Sequence, residues 1–230
     1  MILENQLNQE TTDDPPALPS GTLETRFWWV RHAPVRVNGA RIYGQLDLDC
    51  DCSSDQVFVG LSKYLPEGSV WVTSNLRRTH QTAAAIARAG LMGPAAIVEP
   101  AFSEQHLGSW QGLTRQEIVH LRKSCPHSVW LAPAAERPEG GESFEDLISR
   151  VREGILRLTT VHPGRDIVVV AHAGTIRAAL AIALELPSEA ALSFQVENCA
   201  VTRLDYLGSP PLGHKWRISC VNHRPWAEFV

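Results

Sequence analysis

Apolar residues gather in short unbroken runs along this chain, and each run stops at polar residues. Phe27-Trp28-Trp29-Val30 ends at Arg31-His32-Ala33-Pro34. Ser69-Val70-Trp71-Val72-Thr73 ends at Ser74, and Ile167-Val168-Val169-Val170-Ala171 ends at His172. Runs without polar alternation fit strands buried on both faces. Ala96-Ile97-Val98-Glu99 is a weaker strand of the same kind.

Between these runs the period changes to that of helices. Thr79 to Ala89 is alanine-rich, with Gly90 as its stop. From Ser143 to Val161, Phe144, Leu147, Ile148, Val151, Ile155 and Leu158 recur at three- and four-residue intervals, which predicts one amphipathic helix. Ser143 suits its N-cap, and Pro163-Gly164 ends it. Thr175 to Leu186 reads as a third helix, closed by Pro187. Val196 to Tyr206 and Trp216 to Val221 read as late strands, an antiparallel hairpin at one sheet edge. Strands alternating with helices predict an α/β fold, a three-layer α/β/α sandwich around a mostly parallel sheet. Residues 1–24, acidic and proline-rich, read as a flexible tail, and 25–230 as a single domain.

Composition narrows the setting. With 230 residues, 44% apolar and 20% charged, the chain can bury a real core. A net charge of −4 gives no global attraction to nucleic acid, so any anion site must be local. No apolar run is long enough to span a membrane, and no signal-peptide pattern opens the chain. Five irregularly spaced cysteines argue for a reducing compartment, so the expected location is cytoplasmic. Cys50-Asp51-Cys52 reads as a loop rather than a metal site. Asp47-x-Asp49-x-Asp51 lacks the later glycine and glutamate of a calcium loop.

The chemistry collects at the strand ends. In open α/β sheets ligands bind outside the carboxyl ends of the strands. The pattern sends Arg31 and His32, Ser74 to Arg78, and His172 to that edge. Arginine is seldom buried without a partner, and a cluster of cations beside two histidines calls for an anion. A phosphate dianion matches the planar guanidinium fork. The helix after His172, starting at Gly174-Thr175, can add its free N–H groups to the same anion site, and Ala173 and Gly174 are expected among the substrate-binding residues. A neutral histidine can attack phosphorus, and a backbone carbonyl taking its Nδ1 proton would leave Nε2 as the nucleophile. The leaving alcohol then needs a proton, for which Glu104 is the candidate.

Five motifs in order resemble those of the histidine phosphatase superfamily, the branch that also holds cofactor-dependent phosphoglycerate mutase. They are Arg31-His32, Ser74-x-Leu76-x-Arg78-Thr79-x-x-Thr82, Glu104-x-x-x-Gly108-x-Trp110-x-Gly112, Gly140-Gly141-Glu142-Ser143 and His172-Ala173-Gly174-Thr175-Ile176-Arg177. The resemblance implies a phosphoglycerate mutase-like fold and a phosphohistidine at His32. Arg31, Arg78 and His172 would clamp the phosphoryl oxygens and Glu104 would donate the proton. It also implies a phosphate contact from Asn38, no metal or other cofactor, and a small phosphorylated metabolite as partner. Ala33 stands where the family mostly has glycine. Alanine there is strained if φ must be positive and harmless if the position only needs a small residue.

The first motif and the absence of a basic insertion within Leu113 to Arg137 favour hydrolysis over mutase chemistry. Among phosphatases, RHAPV, YGQLD, GGES and HAGTIRAALA are most similar to proteins labelled α-ribazole phosphatase, which points to a cobalamin precursor as substrate. The alternatives are a mutase-type phosphotransferase and a non-catalytic phospho-ligand-binding member. A homodimer through an edge strand is compatible with the pattern, though nothing in the sequence signals one. Segments 33–50 and 113–140 are expected to form lids that set specificity. Either histidine alone would read as a core residue. Trp28, Trp29 and Trp71 read as core, Trp110 as the tryptophan near the site, His106 as a pocket-rim residue, and Arg177 as a helix residue without phosphate contact.

Overall fold

The computed structural model describes residues 23–36, 39–122, 127, 130–208 and 215–227. Six strands form one sheet in the order β3-β2-β4-β1-β5-β6. They are β1 (Thr25–Arg31), β2 (Val70–Thr73), β3 (Ile97–Val98), β4 (Asp166–Ala171), β5 (Val201–Tyr206) and β6 (Trp216–His223). The first four are mutually parallel, and β5 and β6 close one edge antiparallel. The expected sandwich and its edge hairpin are both present.

The unbroken apolar runs are explained by the two faces they serve. In β1, Phe27 and Trp29 join one core with Val72, Ile167 and Val169, under α4 (Phe144–Val161) and α5 (Ala173–Leu184). Trp28 and Val30 point the other way, with Trp71, Val168 and Val170, under α1 (Asp55–Tyr64) and α2 (Arg77–Arg88). Trp29 is completely buried, and removing a side chain of that size from a packed core costs about 3–5 kcal/mol. Ser143 caps α4 in a capping box with Asp146, as its position suggests.

Some element limits differ from the sequence reading. Helix α5 starts at Ala173 and stops at Leu184, two residues earlier at each end than the pattern suggests. Its C-terminus is fixed by Glu185, which is left-handed at φ 52°. Strand β5 begins only at Val201, because Cys199 is also left-handed at φ 63° and breaks the extended run from Val196. Helices α1 and α3 (Arg115–Arg122) carry too few buried residues to stand out as periodic: Phe58, Gly60 and Leu61 in one, Ile118 in the other. The tail expected over residues 1–24 lies outside the described residues up to residue 22, and Glu24 pairs with Arg217. Among the described residues no helix is long and apolar enough to cross a membrane.

Strand order matters most for the site. β2, β4 and β1 are neighbours in the sheet. Their carboxyl ends therefore place Ser74, His172 and His32 side by side, although these residues span much of the chain.

Candidate active site

His32 follows β1 and is almost fully buried. Its Nδ1 lies 2.7 Å from the carbonyl oxygen of Ala33, so the ring proton sits there and is donated to that carbonyl. Nε2 is buried and has no hydrogen-bond partner among the described residues. Burial, and then the charges of Arg78 and Arg31, hold the imidazole well below its ordinary value of 6.5. The result is a neutral ring with a free electron pair on Nε2, facing two cations. Asn198 Nδ2 donates to the His32 carbonyl at 2.7 Å and fixes the backbone behind it.

Ala33 answers the question of the missing glycine. It is not among the residues with positive φ, and it is fully buried in the core under α1 and α2. Its N–H donates to Thr82 Oγ1 at 2.9 Å, and Thr82 in turn donates to the Arg78 carbonyl. The position needs a small residue, and alanine is unstrained there.

His172 follows β4, with ring centroids 5.1 Å from His32. Its Nδ1 accepts from Arg78 Nε at 3.3 Å, which leaves the proton on Nε2, 2.8 Å from Ser74 Oγ. Burial, followed by Arg78, keeps this imidazole well below its ordinary value too. Arg78 is wholly buried, and its other nitrogens donate to the carbonyls of Leu46 and Gly44. Its hydrogen-bond acceptors are all neutral, so its charge is not cancelled by a bonded carboxylate. Tyr43 lies under the guanidinium at 5.1 Å. Arg31 Nη1 is tied to the Val196 carbonyl at 2.7 Å, and its Nε is buried without a partner.

Glu104 reaches the start of α5, where Gly174 N–H donates to Oε1 at 3.1 Å. A Cβ at Gly174 would lie 2.3 Å from that oxygen, so only glycine lets the carboxyl come so close. The loop bearing Glu104 is held by Arg150, which donates to the carbonyls of Ala101, Ser103 and Glu104 and pairs with Glu142 at 2.6 Å. Glu142 also accepts from His106 N–H. Gly141 packs against the 106–108 backbone, where a Cβ would meet the His106 carbonyl at 2.5 Å. The Gly140-Gly141-Glu142-Ser143 motif is thus the support of the Glu104 loop.

The structure therefore brings together Arg31, His32, Arg78, Glu104, His172, Ala173 and Gly174. Asn38 lies outside the described residues. Trp110 is a correction: it is buried in a small core with Leu107, Ile118 and Leu131, and Trp130 lines the cleft beside Glu104 instead. His106 turns Nδ1 inward to the Gly108 N–H and does not line that cleft. Asp47 and Asp49 both pair with Arg77. Cys50 and Cys52 lie with sulfurs 3.5 Å apart in a loop, unbridged. Tyr43, Arg150, Asn198 and Trp130 were not singled out by the sequence reading. Arg150 had a signal, since it lies three residues after Leu147 on the flank of the apolar stripe.

A sheet whose carboxyl edge places a neutral histidine beside the buried Arg78 and the half-buried Arg31 defines an α/β protein with a cationic site at its strand ends. The chain belongs to the histidine phosphatase superfamily (branch 1), whose family model matches residues 27–219. It is 33% identical over 174 residues to glucosyl-3-phosphoglycerate phosphatase of Mycobacterium tuberculosis, covering 70% of this chain and 76% of the relative. A bifunctional protein of the same organism is 36% identical over 117 residues, and there the match spans only 31% of the relative's length. Among solved structures, mycobacterial glucosyl-3-phosphoglycerate phosphatase superposes with a TM-score of 0.72 at 29% identity, over 87% of this chain and 99% of that one. The α-ribazole phosphatase of Shigella flexneri shares the fold at 21% identity and a TM-score of 0.69, over 86% of this chain and 96% of that one. The relatives it matches include proteins named as phosphatases, among them a metal-independent phosphoserine phosphatase of Arabidopsis thaliana, 32% identical over 67% of this chain and 66% of that one.

Proposed function

We propose that this enzyme hydrolyses a small phosphomonoester through a phosphohistidine at His32, without a metal. The observation that carries the reading is the His32 ring: Nδ1 is committed to the Ala33 carbonyl and Nε2 is bare, buried and beside Arg31 and Arg78. Nε2 attacks phosphorus while the ester P–O bond breaks, and Glu104, as a carboxylic acid, gives its proton to the departing alkoxide. Arg31 and Arg78 hold the phosphoryl oxygens as charge moves onto them, and His172, whose Nδ1 accepts from Arg78 Nε, orients that guanidinium. Water then attacks phosphorus, the carboxylate of Glu104 takes its proton, and the N–P bond breaks to release phosphate.

Hydrolysis is favoured over mutase chemistry by the arginines of the 113–137 segment, where the mutases carry a basic insertion. Arg122 is paired with Glu136 and Arg137 with Asp146, so neither offers its charge to a second substrate group. The motif likeness names α-ribazole phosphate as one candidate substrate in a reducing cytoplasm. Relatives named for glucosyl-3-phosphoglycerate and phosphoserine add two others. The test is hydrolysis of p-nitrophenyl phosphate in EDTA under mildly acidic conditions, with acid-labile label trapped on the protein. Loss of both in His32→Ala supports the reading, and full activity in that variant overturns it. Interconversion of phosphoglycerates stimulated by the bisphosphate would establish a mutase. Vanadate binding without turnover on any ester would establish a binding protein.

A further inference from the structure

A cleft of about 230 Å³ leads away from the phosphoryl site. Arg31, Glu104 and Ala173, which belong to the phosphoryl site, are among its lining residues, which makes it the place for the alcohol part of a bound ester. Tyr43 and Trp130 supply aromatic walls, and Arg177 faces it one helical turn beyond Ala173 on α5.

Arg177 is set in this wall with unusual care. Its Nε donates to the Phe194 carbonyl at 2.8 Å, and its guanidinium lies 4.7 Å over the Trp130 ring. The plane of the group is thereby fixed. Its Nη1 is buried and has no hydrogen-bond partner. Burial lowers the pKa, while the nearby charge of Glu104 opposes that shift. Among the described residues no carboxylate is hydrogen-bonded to it. A guanidinium nitrogen without an acceptor is costly to bury. It is also out of place as mere packing, because the nitrogen that lacks a partner belongs to a residue of the cleft wall. Arg41, across the cleft, already donates to the Gly112 carbonyl and lies 3.7 Å from Glu117.

Resting on the phosphatase reading above, the geometry points to Arg177 as a specificity residue that binds a second anionic group on the substrate's alcohol. The substrate class is a phosphomonoester whose alcohol carries a carboxylate or a further phosphate a few bonds from the ester oxygen. The Trp130-backed guanidinium holds that group, which keeps the ester oxygen beside Glu104. α-Ribazole phosphate carries no such anion on its alcohol and falls outside the class.

The test compares kcat/KM of the wild type, Arg177→Met and Arg177→Lys on matched esters. 3-Phosphoglycerate and glycerol 3-phosphate share a skeleton and differ in a carboxylate against a hydroxymethyl group. Propanediol bisphosphate and propanediol monophosphate test a second phosphate, and α-ribazole phosphate is the uncharged natural comparison. p-Nitrophenyl phosphate reports whether the wild type is a phosphatase at all. The expected result is a preference of tenfold or more for one charged ester over its uncharged match, carried by KM, as about 1.4 kcal/mol of charged contact provides. That ratio falls toward one in Arg177→Met and stays intermediate in Arg177→Lys. Whichever charged pair shows it identifies the anion. Turnover of p-nitrophenyl phosphate by the wild type with no preference in either pair, or with α-ribazole phosphate as best substrate, overturns the inference and leaves the phosphatase reading intact. So does a preference that Arg177→Met and Arg177→Lys both leave unchanged. No turnover of any ester by the wild type overturns both.

Discussion

His32 Nδ1 donates to the carbonyl oxygen of its own neighbour, Ala33, at 2.7 Å. The His32 ring is therefore oriented by backbone, and the side chain at position 33 has no part in it beyond being small. Ala33→Gly is expected to keep activity within roughly threefold, or about 0.6 kcal/mol of barrier. It should cost about 1 kcal/mol of stability, from added chain entropy and one lost buried methyl group. Ala33→Val has no space in the surrounding core and should cost about 1–3 kcal/mol. Urea unfolding and steady-state kinetics on p-nitrophenyl phosphate check both. Activity that rises tenfold or more in the glycine variant would show that alanine is strained after all.

Both histidines are buried in the neutral form, and that fixes the sign of a pH dependence. Their folded values lie well below 6.5, the ordinary value taken for the unfolded chain. Above about pH 6.5 neither state binds a proton at these sites, and the stability is present in full. Below it the unfolded chain binds protons that the native state refuses, so stability falls as pH drops toward the folded values. Each histidine contributes a slope of about 1.4 kcal/mol per pH unit, or roughly 2.7 for the two. Denaturant titrations between pH 7 and 5 should show this loss, reduced by about half in His32→Ala. Ring titration followed by NMR should find His32 still neutral at pH 6. A midpoint at or above 6.5 would refute the buried neutral ring.

A proton donor matters in proportion to how poor the leaving group is. Glu104→Gln is expected to lower kcat by about 10²–10⁴-fold on an alkyl phosphate, the usual range for a lost general acid. On p-nitrophenyl phosphate, whose phenolate leaves without help, the first step should fall much less. Single-turnover formation of the phosphoenzyme separates this step from hydrolysis. Equal losses on both esters would assign Glu104 a purely positional role.

Much of this site was legible because β-strands bring chemistry to one edge. Unbroken apolar runs ending at His32, Ser74 and His172 gave the strands and their polar ends together, and the sheet order β2-β4-β1 then made those ends adjacent. The rest is carried by contacts that leave little periodic trace. Glu104 comes to the site through a loop held by Arg150, whose partners are three carbonyls and Glu142. Trp130 enters the cleft from a segment without regular structure, so sequence reasoning chose Trp110, which lies in the motif. Arg177 sits on the same helix as Ala173, but only the fold of 130–131 over that helix turns it into a cleft residue.

Arg150 acts through the Glu104 loop, at a distance from phosphorus. Arg150→Met removes the ion pair and the donors to the Ala101, Ser103 and Glu104 carbonyls together. With both partners partly exposed, at 23% and 17%, the stability loss should be about 2 kcal/mol, below that of a fully buried pair. The mark of a positioning role is its kinetic signature. On alkyl esters kcat should fall about 10–100-fold with KM little changed, since misplacing a proton donor by an ångström has that scale of effect. Arg150→Lys, with one ammonium for a five-donor fork, should recover only part. A loss confined to KM would mean that Arg150 contributes to substrate binding instead.

Gly174 sets stability and activity against each other. It occupies the second position of α5, where alanine is ordinarily favoured by about 1 kcal/mol. A Cβ there would lie 2.3 Å from Glu104 Oε1 and 3.1 Å from Leu147 Cδ2. The carboxyl group is the more movable of the two, so it should yield and lose its bond to the Gly174 N–H. Gly174→Ala is therefore expected to change the unfolding midpoint little while lowering kcat on alkyl phosphates by about 10–100-fold. Combined with Glu104→Gln it should add almost nothing, because both changes act on the same proton transfer. Fully additive losses in that double variant would place the effect of Gly174 elsewhere, in the anion contacts of the helix start rather than in the seat of Glu104.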